Sequence, residues 1–68
     1  MPFGKVTIVR KKSTRLYGAI DADAHEKIPC RYVNVGISEN GRAFEREDGL
    51  YDIYNKEGIL INEGTTNY

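Results

Sequence analysis

Val33-Asn34-Val35-Gly36-Ile37-Ser38-Glu39-Asn40-Gly41-Arg42-Ala43-Phe44 and, further on, Leu50-Tyr51-Asp52-Ile53-Tyr54-Asn55-Lys56-Glu57-Gly58-Ile59-Leu60-Ile61 set the fold class. Each stretch is an apolar run, a short polar break and a second apolar run. Asn-Gly suits a two-residue type I′ hairpin turn, in which both central residues take positive φ. Centring that turn on Asn40-Gly41 pairs Glu39 with Arg42 and Ile37 with Phe44, an ion pair and an apolar pair. Asn55-Lys56-Glu57-Gly58 reads as a type I turn closed by a glycine in the left-handed region. Pairing across it sets Ile53 opposite Ile61 and Tyr54 opposite Leu60. Two linked hairpins of this kind make an antiparallel meander.

Upstream, Lys5-Val6-Thr7-Ile8-Val9-Arg10 alternates as a first strand, with Val6 and Ile8 on one face. Lys11-Lys12-Ser13-Thr14 is a polar break, and Arg15 to Ile20 returns antiparallel, with Gly18 marking a bulge or sharp bend. Asp21-Ala22-Asp23-Ala24-His25-Glu26-Lys27 combines helix-favouring residues with a capping aspartate, enough for a single helical turn. Ile28-Pro29 ends any helix there, because the residue before proline is driven to extended geometry. A third strand is expected from about Cys30 to Ile37 and a fourth from Arg42 to about Glu47. Asp48-Gly49 is a further turn, ahead of the fifth and sixth strands. The fold class is all-β: a small curved antiparallel sheet or partly open barrel, SH3-like or OB-like, of five to six short strands. Residues 1–64 form the single domain and 65–68 a polar tail, and no internal repeat is visible.

A chain of 68 residues supports one thin core, since a domain this small buries only about 60% of its unfolded surface. Self-association as a homodimer is one way to enlarge that core. Cys30 is the single cysteine, so no intrachain disulfide forms, and the cysteine usage points to a reducing, cytoplasmic setting. No apolar run approaches the roughly 20 residues that cross a bilayer as a helix, so no membrane partner is expected. Met1-Pro2-Phe3-Gly4-Lys5 lacks the pattern of a signal peptide.

Formal net charge is zero but unevenly spread. Residues 1–34 hold seven basic residues (Lys5, Arg10, Lys11, Lys12, Arg15, Lys27, Arg31) against Asp21, Asp23 and Glu26, a net of +4. Residues 35–68 hold three basic residues (Arg42, Arg46, Lys56) against seven acids, a net of −4. The reading adopted is that oppositely charged strands pair within one small sheet. A globally neutral chain is poorly placed to steer towards nucleic acid.

Asp21, Asp23 and His25 are spaced two apart, so an extended backbone projects them together as weak candidates for a cation site, with Cys30 as a further sulfur ligand. The plainer reading is a solvated loop, and no metal and no cofactor are expected. His25 and Cys30 lack any third residue to orient them, and a chain this short has little room for a substrate pocket, so no catalysis is expected. Arg10, Lys11, Lys12 and Arg15 cluster before Tyr17, and with Tyr32 and Phe44 as flat surfaces they make a nucleic-acid-binding small barrel the alternative function. The leading function is a small protein-interaction module: an adaptor, an inhibitor or a self-associating accessory protein. Tyr51, Tyr54 and Leu60 lie on the last hairpin, fringed by Asp52, Glu57 and Glu63, a composition suited to a contact surface. On this reading Tyr54 and Leu60 share a face turned away from Ile53 and Ile61.

Overall fold

The computed structural model describes residues 2–66. The chain forms β1 (Pro2–Phe3), β2 (Val6–Arg10), β3 (Tyr17–Ile20), β4 (Glu26–Tyr32), β5 (Asn34–Ser38), β6 (Gly41–Glu45), β7 (Tyr51–Tyr54) and β8 (Leu60–Thr65). Strands β1 to β4 make one antiparallel sheet and β5 to β8 another, each with its strands in chain order. The all-β expectation holds, with no helix among the described residues. The described residues form eight strands rather than five or six. The expected third strand splits at Val33 into β4 and β5, which lie in different sheets. The expected polar tail also begins late: Thr65 closes β8, while Asn67 and Tyr68 lie outside the described residues.

The segment expected as a helical turn is a hairpin loop. Asp21 N–H donates to the His25 carbonyl at 2.9 Å, and Ala24 N–H to the Asp21 carbonyl at 3.0 Å. Asp21 Oδ1 accepts the N–H groups of Asp23 and His25, both at 2.9 Å. The Asn55–Ile59 loop repeats this pattern bond for bond, with Asn55 Oδ1 accepting from Glu57 and Ile59. In both loops the fourth residue is left-handed: Gly58 at φ 78°, as expected, and Ala24 at φ 63°. A left-handed alanine costs roughly 1–2 kcal/mol, partly offset in glycine by its greater unfolded entropy. Ala24→Gly is therefore expected to stabilise the fold by about 0.5–1 kcal/mol, visible as a raised urea midpoint.

The likeness between these loops extends through most of the pairing in both sheets. The β1–β2 pair Phe3↔Val6 recurs 35 residues on as Ser38↔Gly41. The pairs Ala19↔Ile28 and Ile20↔Glu26 recur 34 residues on as Ile53↔Asn62 and Tyr54↔Leu60, with the register shift in the same place. The chain is therefore an internal structural duplication, contrary to the expectation of no repeat. The duplication also decides the charge pattern. Strands pair only within their own half, so the basic half forms one sheet and the acidic half the other. Oppositely charged strands do not lie side by side.

Two registers differ from expectation. The β5–β6 hairpin pairs Ser38↔Gly41, Ile37↔Arg42 and Val35↔Phe44, so the loop residues are Glu39 and Asn40. Neither Asn40 nor Gly41 has positive φ, and the turn is not type I′. Gly41 is needed for a different reason: a Cβ there would lie 2.0 Å from the Tyr54 carbonyl oxygen on the neighbouring strand. In β8, the shift between Ile53 and Tyr54 sets Ile53 opposite Asn62 instead of Ile61, while Tyr54 does face Leu60. The bulge expected at Gly18 is present, between Tyr17 and Ala19. An added Cβ would approach the Ile28 carbonyl oxygen to 2.4 Å.

The core lies between the sheets. Phe3, Val6, Ile8, Ala19, Ile28 and Tyr32 from the first sheet meet Phe44 and Tyr54 from the second, with Tyr17 and Val35 packed against them. Tyr32, Phe44 and Tyr54 form an aromatic triangle, with ring centroids 5.3 to 6.0 Å apart and tilted or edge-on planes. Those separations and tilts are favourable for aromatic pairs.

Candidate functional site

Alternation along β7 turns Asp52 and Tyr54 inward together, beneath Tyr32 from β4. Asp52 is 1% exposed, the one buried charged residue among those described. The Tyr32 hydroxyl donates to Asp52 Oδ2 at 2.7 Å and lies 2.7 Å from the Tyr54 hydroxyl. Gly64 N–H and the Arg46 guanidinium both reach Asp52 Oδ1 at 2.9 Å. Arg31 stands further off, 3.9 Å from Oδ2, with its guanidinium over the Tyr32 ring. Burial alone would raise the Asp52 pKa, but the Tyr32, Gly64 and Arg46 hydrogen bonds outweigh it and hold the carboxyl below its ordinary value. Burial, then the bonds to Tyr54 and Asp52, push the Tyr32 hydroxyl far up. It stays neutral, and a sealed carboxylate with a firmly protonated phenol offers no proton-transfer group to a substrate. This cluster ties the two sheets together. It went unseen in the sequence, where Asp52 looks like a solvated rim residue.

The expected contact residues separate. Tyr54 is a core residue, 7% exposed, and shares no open face with Leu60. Both Ile53 and Tyr54 are buried, so β7 is covered on both sides. Tyr51 is half-buried and pairs with Thr65. Leu60 is exposed at 39%, and it stands between Ile59 at 55% and Ile61 at 46%. The open apolar patch therefore lies at the entry to β8, with Ile59 just before the strand and Leu60 and Ile61 at its start. The register shift explains why Ile61 leaves the core side it was expected to occupy.

The basic residues do gather. Arg10, Lys11, Lys12 and Arg15 are all exposed around one loop, and the Arg10 guanidinium sits 5.7 Å from the Tyr17 ring centroid. Tyr17 is half-buried beneath it, while Tyr32 and Phe44 are fully buried and present no stacking surface. Asp21, Asp23 and His25 also converge, with one ligand atom from each inside 4.8 Å. Hairpin closure already accounts for that convergence, because Asp21 is engaged by two backbone N–H groups and the Asn55 loop folds identically without a second acid–histidine pair. Backbone bonding, first from His25, holds the Asp21 pKa below its ordinary value. Cys30 is half-buried, and burial followed by Glu26 pushes its thiol pKa up, the reverse of an activated nucleophile.

No helix among the described residues is long and apolar enough to cross a membrane. No protein-family model matches this chain, and comparison with curated proteins and with solved structures finds no match.

Proposed function

We propose that the chain is a non-catalytic protein-interaction module whose partner adds a strand to the open edge of β8. One observation carries the reading: Ile59, Leu60 and Ile61 are exposed in succession where an edge strand begins. Exposed edges are usually blunted by brevity, proline or lysine. The first sheet follows that rule, since β1 has two residues and β4 carries Lys27, Pro29 and Arg31. In the second sheet β5 has no charge and exposes one large apolar residue, Ile37, whereas β8 offers a longer strand with successive aliphatic residues at its start. Strand addition gives affinity through backbone hydrogen bonds and specificity through alternate side chains. The proposal takes the two curled sheets as a partly open barrel of SH3-like or OB-like kind.

A second reading rests on the exposed Arg10-to-Arg15 loop beside Tyr17, which suits a nucleic-acid backbone. One experiment separates the two. A photo-crosslinking amino acid placed at Ile61 is expected to yield a protein adduct in cells, and one placed at Lys12 none. Nucleic-acid adducts at Lys12 with none of any kind at Ile61 would transfer the function to the basic loop.

A further inference from the structure

We propose that the strand received by β8 is cationic: an extended segment of a different protein in which aliphatic residues alternate with lysine or arginine. The inference rests on the edge reading above and adds the chemistry of the partner. The edge belongs to the acidic sheet, whose half of the chain carries a net −4. Local geometry sharpens the point. The Arg46 guanidinium faces three carboxylates, Asp52 at 2.9 Å, Glu63 at 3.7 Å and Asp48 at 3.9 Å, and the one other cation beside them, Arg31 at 3.9 Å, reaches only Asp52, so one negative charge is in excess. Asp52 takes the close, buried contact. Glu63 and Asp48 are left at longer range with side chains 68% and 57% exposed, an excess of negative charge at the end of β8. Of the acids flanking the exposed aliphatic residues, Glu63 lies within β8 itself, whereas Glu57 lies in the loop before it. A strand laid along Leu60 to Glu63 would cover the aliphatic residues and bring its own side chains level with that carboxylate.

The same charges argue against a second copy as the occupant. Two β8 strands paired about a two-fold axis would bring together segments that hold Glu63 and no cation. The basic sheet's own edges carry Pro2 and Pro29, which cannot donate to a ladder.

The test uses two capped hexapeptides, one alternating valine with lysine and the other valine with glutamate, titrated into isotopically labelled full-length chain. The lysine peptide is expected to shift the amide signals of Leu60 to Glu63 and to bind about threefold more tightly than the glutamate peptide, the scale of an exposed ion pair. Glu63→Gln, with an otherwise unchanged spectrum, should abolish the preference while both peptides still bind. Equal binding of both peptides by the parent would overturn the cationic partner and leave the edge reading standing. No shift in β8 with either peptide at millimolar concentration would overturn both. A parent dimer in sedimentation whose interface includes β8 would make the occupant a second copy and overturn the inference.

Discussion

Asp52→Ala is expected to remove about 3–5 kcal/mol of stability, because it strips the Tyr32 hydroxyl, Gly64 N–H and the Arg46 guanidinium of one shared, buried acceptor. A domain of this size has only about 3–10 kcal/mol in total, so much of the population should unfold in dilute buffer. The loss is large because one carboxylate satisfies several groups. Without it Arg46 loses its 2.9 Å partner, and the Tyr32 hydroxyl and Gly64 N–H lose their acceptor. The neighbouring change Tyr54→Phe deletes one hydroxyl contact at 2.7 Å and keeps the aromatic packing. It should cost about 1 kcal/mol. Urea unfolding of both variants gives the comparison, and a smaller loss for Asp52→Ala than for Tyr54→Phe would show that the carboxylate is not the node. Proton linkage supplies a second readout. The folded pKa of Asp52 lies below its ordinary value, so its contribution is present above the unfolded carboxylate pKa of about 3.9. It is lost as pH falls below that value through the folded pKa. Between pH 5 and 8 the Asp52 contribution should be flat, with the decline confined to strongly acid solution.

Two of the hairpin loops were legible because their chemistry is local. Asp48-Gly49 and Asn55 to Gly58 carry the Asx acceptors and left-handed glycines that their turns use. The duplication was not legible, because a backbone pattern can recur with few side chains in common. Leu16-Tyr17 and Leu50-Tyr51 are identical at equivalent places, but Gly18 answers to Asp52, Ala19 to Ile53 and Ala24 to Gly58. The first-half loop before Tyr17 is also one residue longer, which breaks the alignment. Periodicity placed β2, β3, β6 and β7 but ran β4 and β5 together, and it could not reveal which face of β7 met a second layer. Ile53 and Tyr54 are both buried, so alternation there carries no inside-outside signal. Of the candidate contact residues, Leu60 and Tyr51 keep some surface and Tyr54 has almost none. The patch at Ile59 to Ile61 depended on a one-residue register shift, and such a shift moves side chains to the other face.

The β5–β6 hairpin gives the sharpest contrast between a turn argument and a packing argument. If Asn40-Gly41 formed a type I′ turn, replacing Asn40 would disturb a positive-φ position and Gly41 would be needed for its backbone freedom. Here neither residue has positive φ, so Asn40→Ala should change stability by less than about 0.5 kcal/mol, as for an ordinary surface site. Gly41→Ala should cost about 2–3 kcal/mol, in the range of overpacked interiors. Its Cβ would lie 2.0 Å from the Tyr54 carbonyl oxygen, 2.9 Å from the carbonyl carbon and 3.1 Å from the Asn55 Cα. All three are backbone atoms, so no flexible side chain can move aside. Tyr54 has little freedom to retreat, because its ring is locked against Tyr32 and Phe44 and the next residue, Asn55, closes the β7–β8 loop by bonding to Ile59. The strain would therefore part β6 from β7 near Arg42↔Tyr54 and loosen the aromatic triangle behind it. Paired urea titrations of Asn40→Ala and Gly41→Ala decide the matter. Comparable losses in the two variants would restore the turn explanation, whereas a loss confined to Gly41→Ala locates the constraint in the approach of two strands.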